Sequence, residues 1–316
     1  MKKITVLLIL SLVLLGGCGT TGGAHQQPLR IGVLPIEDSL PLYVAESENL
    51  FQGNGLEVEL VSFNSARERD MALQSGEIDG EVADILAAAL LAKSGIDVSI
   101  VSLTLGAVPG EGRFALLTSP NSGLDSLEKI DHFSVAVSEN TIIEYVLDQL
   151  LKIGNISKDK VDKVAIPRIP ERLQLLLNDK IDAAVLPDPL ASLAEAKGAH
   201  LILDDTRVDQ NISQVVLLFN SATIGKNGKA VIKLMNAYNQ AVKKFNENPD
   251  NYRQLFIEKA RVPRDIQNSY RAPVFSPAQV PGRDDVDRLL SWAKAKGLIP
   301  AEMTYDQLVD GSFVKD

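Results

Sequence analysis

Residues 76–95 read GEIDGEVADILAAALLAKSG, and residues 179–198 read DKIDAAVLPDPLASLAEAKG. Both run Ile-Asp, small residues, Val, and an Asp ahead of a Leu-Ala stretch that ends on Lys and a closing Gly. The agreement extends upstream, to Arg69 and Leu73 in the first copy and Arg172 and Leu176 in the second. Each copy spells a helix, a tight turn, a short strand at Ile-Asp-(Gly/Ala)-x-Val, and a second helix starting at Asp or Pro-Asp-Pro. Units of this kind look alike in many α/β chains, so the reading rests on what surrounds the two copies.

Around the first copy, Leu29 to Ile36 (LRIGVLPI) is an apolar run of strand length followed by turn residues. Ser39 and Pro41 then open a helix carrying Leu42, Ala45 and Leu50 on one face, and Gly53 and Gly55 stop it. Leu56 to Phe63 alternates at period two, as a half-buried strand does. A helix capped by Ser65 and closed by Gly76 leads into a strand at 79–82, a helix at 84–93 and the strand VSIVSLTL at 98–105. This β-α-β-α-β-α-β order predicts a mainly parallel sheet with flanking helices.

A second cycle starts near Pro120. It has strands at Phe133–Glu139 and 161–167, helices at 140–154 (Asn140 near the cap) and 170–179, and HLILDD (200–205) to close it. A long amphipathic helix is expected from Lys226 to Asn248 and another within 284–300, with Trp292 on its apolar stripe beside Leu289 and Leu290. The expectation is therefore two α/β lobes: residues 28–112 and 220–316 in lobe 1, and 120–212 in lobe 2. The apolar strands at 113–119 and 213–219 are expected to be the two interlobe crossings. In such sheets ligands bind beyond the carboxyl ends of the strands, so the repeated strand ends should face each other across a cleft.

The chain ends are read separately. Lys2 and Lys3, an apolar run from Ile4 to Leu15 and then Gly16-Gly17-Cys18 describe an export signal, residues 1–17. The run is shorter than the roughly 20 residues of a membrane span. Leu15-Gly16-Gly17-Cys18 resembles the bacterial lipobox, which would make Cys18 the lipidated (palmitate-bearing) first residue of the mature chain. Residues 18–27 are small and polar, as a flexible tether is, and His25 there is expected to be solvated. Cys18 is the only cysteine, so the chain can form no internal disulfide, thiolate zinc site or cysteine nucleophile.

About 290 residues follow the tether (316 less 27), a length normal for two lobes. A 45% apolar and 23% charged composition supports a sizeable core. The net charge of −9 argues against a nucleic-acid partner, which would call for a basic face.

An exported lipoprotein with two α/β lobes and two crossings resembles a type II solute-binding protein of a bacterial ABC importer. More narrowly it is similar to the family that includes sulfonate, nitrate and thiamine-pyrimidine binding proteins. The stretches that carry the likeness are LPLYVAESENLFQGNGLEVELV, LQSGEIDGEVAD, GRFALLTSPNSGLDSLEKI, VAVSENTIIEYV, VLPDPLASLA and the closing LLSWAKAKGLIPAEMTYDQLVDGSF. It spans Leu29 to about Phe313, and its motifs are specific in their order rather than singly. The resemblance implies a type II periplasmic-binding-protein fold that captures a small solute by lobe closure. It also implies permease and ATPase partners, attachment to the membrane through the N-terminal lipid, and a place outside the cytoplasm, on the cell membrane or facing the periplasm.

No catalytic motif competes with this. HExxH, paired CxxC, GxSxG and Walker sequences are missing from the chain. His132 and His200 both sit at turns, GNG at 53–55 and GEGR at 110–113 are lone glycine pairs, and no cofactor or metal is expected. An enzyme on the same fold, like a thiamine-pyrimidine synthase or a menaquinone-pathway enzyme, is the alternative, and the export signal weighs against it.

The strand-end rule nominates Pro35, Glu37, Asp38, Ser39 and Tyr43 on the first rim, with Asn64, Ser65 and Asp84 from the next two. Lobe 2 adds Ser138, Asn140, Thr141, Pro187 and Asp188, and the crossings add Glu111 and Arg113. Asp84 and Asp188 serve equally as helix caps, Glu37 and Asp38 as turn residues, and Tyr43 as core or as a ring leaning over the cleft. Five acidic residues against Arg113 favour a neutral or cationic nitrogenous solute, such as an amino-pyrimidine, over a sulfonate or nitrate.

Overall fold

The computed structural model describes residues 27–208 and 211–314. The export signal, Cys18, His25 and the tether up to residue 26 lie outside the described residues.

In chain order the first half supplies β1 (Leu29–Val33), α1 (Leu40–Ser47), α2 (Leu50–Gly53), β2 (Val58–Ser62), α3 (Ala66–Ser75), β3 (Gly80–Asp84), α4 (Ile85–Lys93) and β4 (Val98–Leu105). Then come β5 (Phe114–Thr118), β6 (Phe133–Val137), α5 (Ile142–Ile153), β7 (Val161–Ala165), α6 (Ile169–Leu177), β8 (Ala183–Pro187), α7 (Leu190–Ala196) and β9 (His200–Asp204). The rest is β10 (Val215–Asn220), α8 (Ser221–Glu247), α9 (Arg253–Lys259) and α10 (Arg283–Ala295).

Two five-stranded sheets result, ordered β2-β1-β3-β10-β4 and β7-β6-β8-β5-β9. The orders correspond place by place, and the repeated stretch supplies the central strand of each, β3 and β8. The fold is the two-lobed α/β arrangement expected, each sheet mainly parallel, with a single strand reversed in each. β1 pairs parallel with β2 and β3, and β6 with β7 and β8, whereas β10 and β5 run antiparallel to both their neighbours. The cause is the chain path. β4 and β9 end where the sheets face each other, so the next strand enters the opposite sheet from that side and must run the other way.

The strands expected at the crossings are thus placed one in each sheet, β5 in the second and β10 in the first. Residues 106–113 and 205–214 make the passages between them.

Both central strands are buried along nearly their whole length; β8 accordingly reads as an apolar run without alternation, whereas β3 carries the buried Glu81. Gly80 permits this in the first sheet: a Cβ there would lie 2.5 Å from the Phe219 ring. Beneath each central strand sits a buried arginine from the preceding helix. Arg69 donates to the Val82 carbonyl at 2.7 Å and to Asp70 at 2.8 Å, with Glu81 at 3.4 Å. Arg172 occupies the same register, but Ala184 stands in the place of Glu81. Among the described residues its three side-chain nitrogens meet no acceptor, and burial lowers its pKa to about 10.

On one side the lobes meet through helices. Trp292 of α10 packs edge-on against Tyr145 of α5 (5.4 Å between centroids, 70°) and donates its indole N–H to Asp148 at 2.9 Å. Trp292 therefore belongs to an interlobe contact and is only half buried. Lys163 and Lys296 bond Glu144 beside it. The helix expected at 226–248 runs from Ser221, bent at Asn227 (φ −129°) where Gly225 and Gly228 weaken it. Residues 267–282 form neither helix nor strand. This strap lies over lobe 1, bonded through the Gln279 carbonyl to the Leu103 N–H at 2.6 Å and through the Phe275 carbonyl to Asn246 at 2.7 Å.

Candidate functional site

The carboxyl ends of β1–β3 and β6–β8 converge on the passages, and the first passage is the axis of the site. Gly112 takes φ +70°, a conformation that favours glycine, and a Cβ there would lie 2.6 Å from Leu105 and 3.9 Å from Glu37 Oε1. The Glu37 carboxyl therefore lies against the passage, and its other oxygen accepts the Tyr270 hydroxyl of the strap at 2.5 Å. Glu111 accepts the Ala107 N–H at 2.7 Å with one oxygen and the Ser276 hydroxyl of the strap with the other.

From lobe 2, the Asp188 N–H donates to the Arg113 carbonyl at 2.9 Å, while the Asp188 side chain accepts the N–H and hydroxyl of Ser192 at 2.8 and 2.7 Å. The Arg113 guanidinium donates to Glu195 at 2.7 Å and to Asp204 at 3.0 Å, and lies 3.8 Å from Asp188. Asp205 accepts the Phe114 N–H at 2.8 Å with one oxygen, and the buried Ser213 side chain lies beside the carboxyl.

Six carboxyl groups (Glu37, Glu111, Asp188, Glu195, Asp204, Asp205) thus line a short path on which Arg113 is the central cation. Arg113 is already engaged by three of them. Burial pushes the Glu37 carboxyl up to about 8, and Asp188, Asp38 and Asp205 push the same way against the Tyr270 hydrogen bond. Burial also raises Asp205 to about 6 and raises Asp188. Tyr270 is held protonated, by its own burial first and then by Glu37. Its ring stacks on Phe256, 5.7 Å away at 20°. This is a desolvated, electronegative site with neutral hydroxyl donors, suited to a positive charge or an N–H-rich group.

Of the residues nominated from the sequence, Glu37, Glu111, Arg113 and Asp188 are brought together here, with Pro187 buried beside them at the end of β8. Asp38 and Asp84 are engaged within lobe 1 instead. Asp38 accepts the Ser39 hydroxyl at 2.8 Å, and Asp84 caps α4 through the Ala87 N–H at 2.9 Å. Burial raises both carboxyls to about 6, and Arg69 opposes that rise. Ser39 is buried without capping α1, and Pro35 is half buried at the rim. The Tyr43 ring lies in the lobe 1 core with Lys259 4.9 Å over its face, which leaves no open face for stacking. Ser65 caps α3, with exposed Asn64 beside it at the outer edge of the first sheet.

In lobe 2 the cap of α5 is Thr141, which accepts the Ile143 N–H at 3.2 Å and donates to the Ser138 carbonyl at 2.7 Å. Asn140, expected near that cap, sits just before it at φ +57° with an exposed side chain. His132 and His200 precede or begin strands whose other ends reach the cleft, so both lie at the far pole.

Sequence reasoning missed Tyr270, Ser276, Ser192, Glu195, Asp204 and Asp205. Tyr270 is 233 positions from Glu37, beyond any local pattern. The usable signal was a structureless stretch of 16 residues (267–282), QNSYRAPVFSPAQVPG, since loops of that length are commonly functional.

A model of the NMT1-like family matches residues 22–257. Over 247 residues the chain is 26% identical to a protein of Brachyspira hyodysenteriae named as an ABC transporter periplasmic binding protein, covering 73% of this chain and 69% of that one. It is 25% identical over 268 residues to a protein of Bacillus subtilis named as aliphatic sulfonates-binding, covering 82% and 78%. The fold matches the periplasmic aliphatic sulphonate binding protein SsuA of Escherichia coli with a TM-score of 0.73, at 18% identity over 92% of this chain and 96% of that chain.

Proposed function

The chain belongs to the NMT1-like family, and from that membership and the interlobe cleft we propose that it is the extracytoplasmic solute-binding component of an ABC importer. The relative named as an ABC transporter periplasmic binding protein supports the importer role. In this reading lobe 1 (28–112 and 220–316) and lobe 2 (120–212) turn about the passages and close on a small solute. The permease and its ATPase then receive it. Closure binds without turnover; chemical change of a bound probe would favour the enzyme reading instead.

One observation carries the choice of solute. Arg113, the cation on the path, is held by Glu195, Asp204 and Asp188, leaving Glu37 and Asp205 without a positive partner among the described residues. A sulfonate or nitrate would need a free guanidinium or several free N–H donors. A cationic or N–H-rich solute, an amine or amino-pyrimidine, answers the carboxyls directly. Tyr270 replaces Tyr43 in this reading as the aromatic residue beside it.

Solution scattering tests closure. Two passages with no third connection make hinge motion the default. The radius of gyration should fall when an amino-pyrimidine saturates the protein, and an unchanged radius at saturation would contradict capture by closure.

The anchor is tested apart from the site. Cys18→Ser should move the exported protein from the membrane to the soluble fraction and leave solute affinity unchanged, because the tether precedes the folded region. Mass spectrometry of the mature N-terminus should find a lipid on Cys18, and a free thiol there would rule the anchor out.

A further inference from the structure

Away from the cleft site, the helices that join the lobes meet in a fixed register. In lobe 1, Trp292 of α10 and Lys296 at its C-cap are one turn apart on one face. In lobe 2, Glu144 and Asp148 are one turn apart on α5. The pairs meet antiparallel: Trp292 donates its indole N–H to Asp148 at 2.9 Å, and Lys296 donates to Glu144 at 2.5 Å. Lys296 also lies 5.1 Å over the Trp292 ring, which packs edge-on against Tyr145. We propose that Trp292 and Lys296, engaging Asp148 and Glu144, form a clasp that draws the two lobes to the described angle, and that solute affinity is set from this clasp as well as from the cleft. This deepens the reading above and rests on it for the solute, whereas the clasp itself is read without one.

Each half is held ready by its own lobe. The segments flanking α10 are bonded to β4, through the Gln279 carbonyl to the Leu103 N–H at 2.6 Å and the Leu308 carbonyl to the Ile100 N–H at 2.7 Å. On α5, the Lys163 ammonium donates to Glu144 and Asp148 at 2.7 Å each, and the Asn140 N–H donates to Glu144 at 2.7 Å. The two carboxylates are 3% and 5% exposed, so their positions are set before α10 reaches them.

The kind of contact matters. An apolar cluster runs across this side of the molecule from α4 into α5. Apolar contact is non-directional and tolerates small rotations. Charge-assisted hydrogen bonds are directional, and a slip of one helical turn, about 5.4 Å, would unpair both. The clasp therefore distinguishes one lobe angle from its neighbours. In the solute-free protein it draws part of the population to that angle, and solute draws the rest. Apparent affinity scales with the fraction already competent, so weakening the clasp weakens capture with the cleft untouched.

Trp292 is the only tryptophan, so its fluorescence reads the clasp directly. In the solute-free full chain, Lys296→Met should raise acrylamide quenching of Trp292 and enlarge the radius of gyration. Lys296→Arg, which keeps the charge, should return both toward wild type. Glu144 retains Lys163 and the Asn140 N–H in Lys296→Met, so no buried charge is stranded by the change. Lys243→Met is the control, the same change at a side chain 76% exposed on α8. Quenching and radius in Lys296→Met equal to those of Lys243→Met overturn the clasp.

Calorimetry with an amino-pyrimidine decides the link to capture. Lys296→Met should weaken binding by about five- to thirtyfold with the stoichiometry unchanged, within the range of couplings between separated sites. Affinity unchanged beside altered quenching overturns that link while leaving the solute-binding reading intact. If the probe binds neither protein while the quenching still responds, the choice of solute fails and the clasp stands.

Discussion

Arg113→Met should lower the unfolding temperature of the solute-free protein by about 5–15 °C at pH 7, the largest loss expected from any single change at the site. Among the described residues the guanidinium is the one cation hydrogen-bonded to both Glu195 and Asp204, and it lies 3.8 Å from Asp188. Asp188 and Asp204 are buried. Removing the cation strands those charges in a low-dielectric region, which for a buried partner costs about 3–5 kcal/mol. At about 1.5–3 °C per kcal/mol for a chain of this size, the temperature range follows.

Arg113→Lys should recover part of the loss, since a single ammonium keeps the charge but cannot span Glu195 and Asp204 at once. Arg207→Met is the control. Its side chain is 78% exposed and 3.9 Å from Asp204, and exposed pairs contribute about 0–1 kcal/mol. The Arg113→Met deficit should shrink toward pH 5, as Asp188, whose carboxyl burial already raises, takes up a proton. Differential scanning calorimetry checks all three variants. A deficit no larger than that of Arg207→Met would mean that Arg113 does not hold the passage.

The repeated stretch was informative because it encodes a buried strand and the helix starts around it, all local features. Gly76 closes α3 at φ +76°, Asp84 caps α4, and Arg69 and Arg172 recur at one helical position because each must reach under the same strand. What the repeat could not convey was direction. β5 and β10 read as apolar strands in either orientation, and only the path through the passages makes them antiparallel. The reversed strands therefore appear in the structure and not in the pattern.

At the cleft, legibility followed sequence distance. Glu37 and Asp188 follow strand ends, where a topological rule places them, and Glu111 and Arg113 lie at the first crossing. Tyr43 failed as a platform because a helix residue one turn in can face core or cleft, and Lys259, more than two hundred positions away, covers its ring. Tyr270 and Ser276 reach Glu37 and Glu111 from a strap with no periodicity to read. Asp204 and Asp205 end a strand that was recognised, but their role depends on Arg113 turning toward them.

The second large effect concerns charge selection. An anion placed about 5 Å from one uncompensated carboxylate loses about 1–3 kcal/mol, and two such neighbours cancel much of the roughly 8 kcal/mol that a micromolar affinity represents. A cation gains where the anion loses. Replacing Glu37 by Gln should therefore weaken a cationic amino-pyrimidine by at least about 30-fold, the equivalent of about 2 kcal/mol. Asp188→Asn should act in the same direction, because it removes a second buried carboxyl beside the passage.

The most direct measurement is calorimetry on the mature protein with an amino-pyrimidine, taurine and nitrate side by side, repeated in Glu37→Gln and Asp188→Asn. The account predicts saturable binding of the amino-pyrimidine without turnover, at least about 100-fold tighter than either anion and weakened in both variants. Tight binding of taurine or nitrate, unaffected by Glu37→Gln or Asp188→Asn, would contradict it.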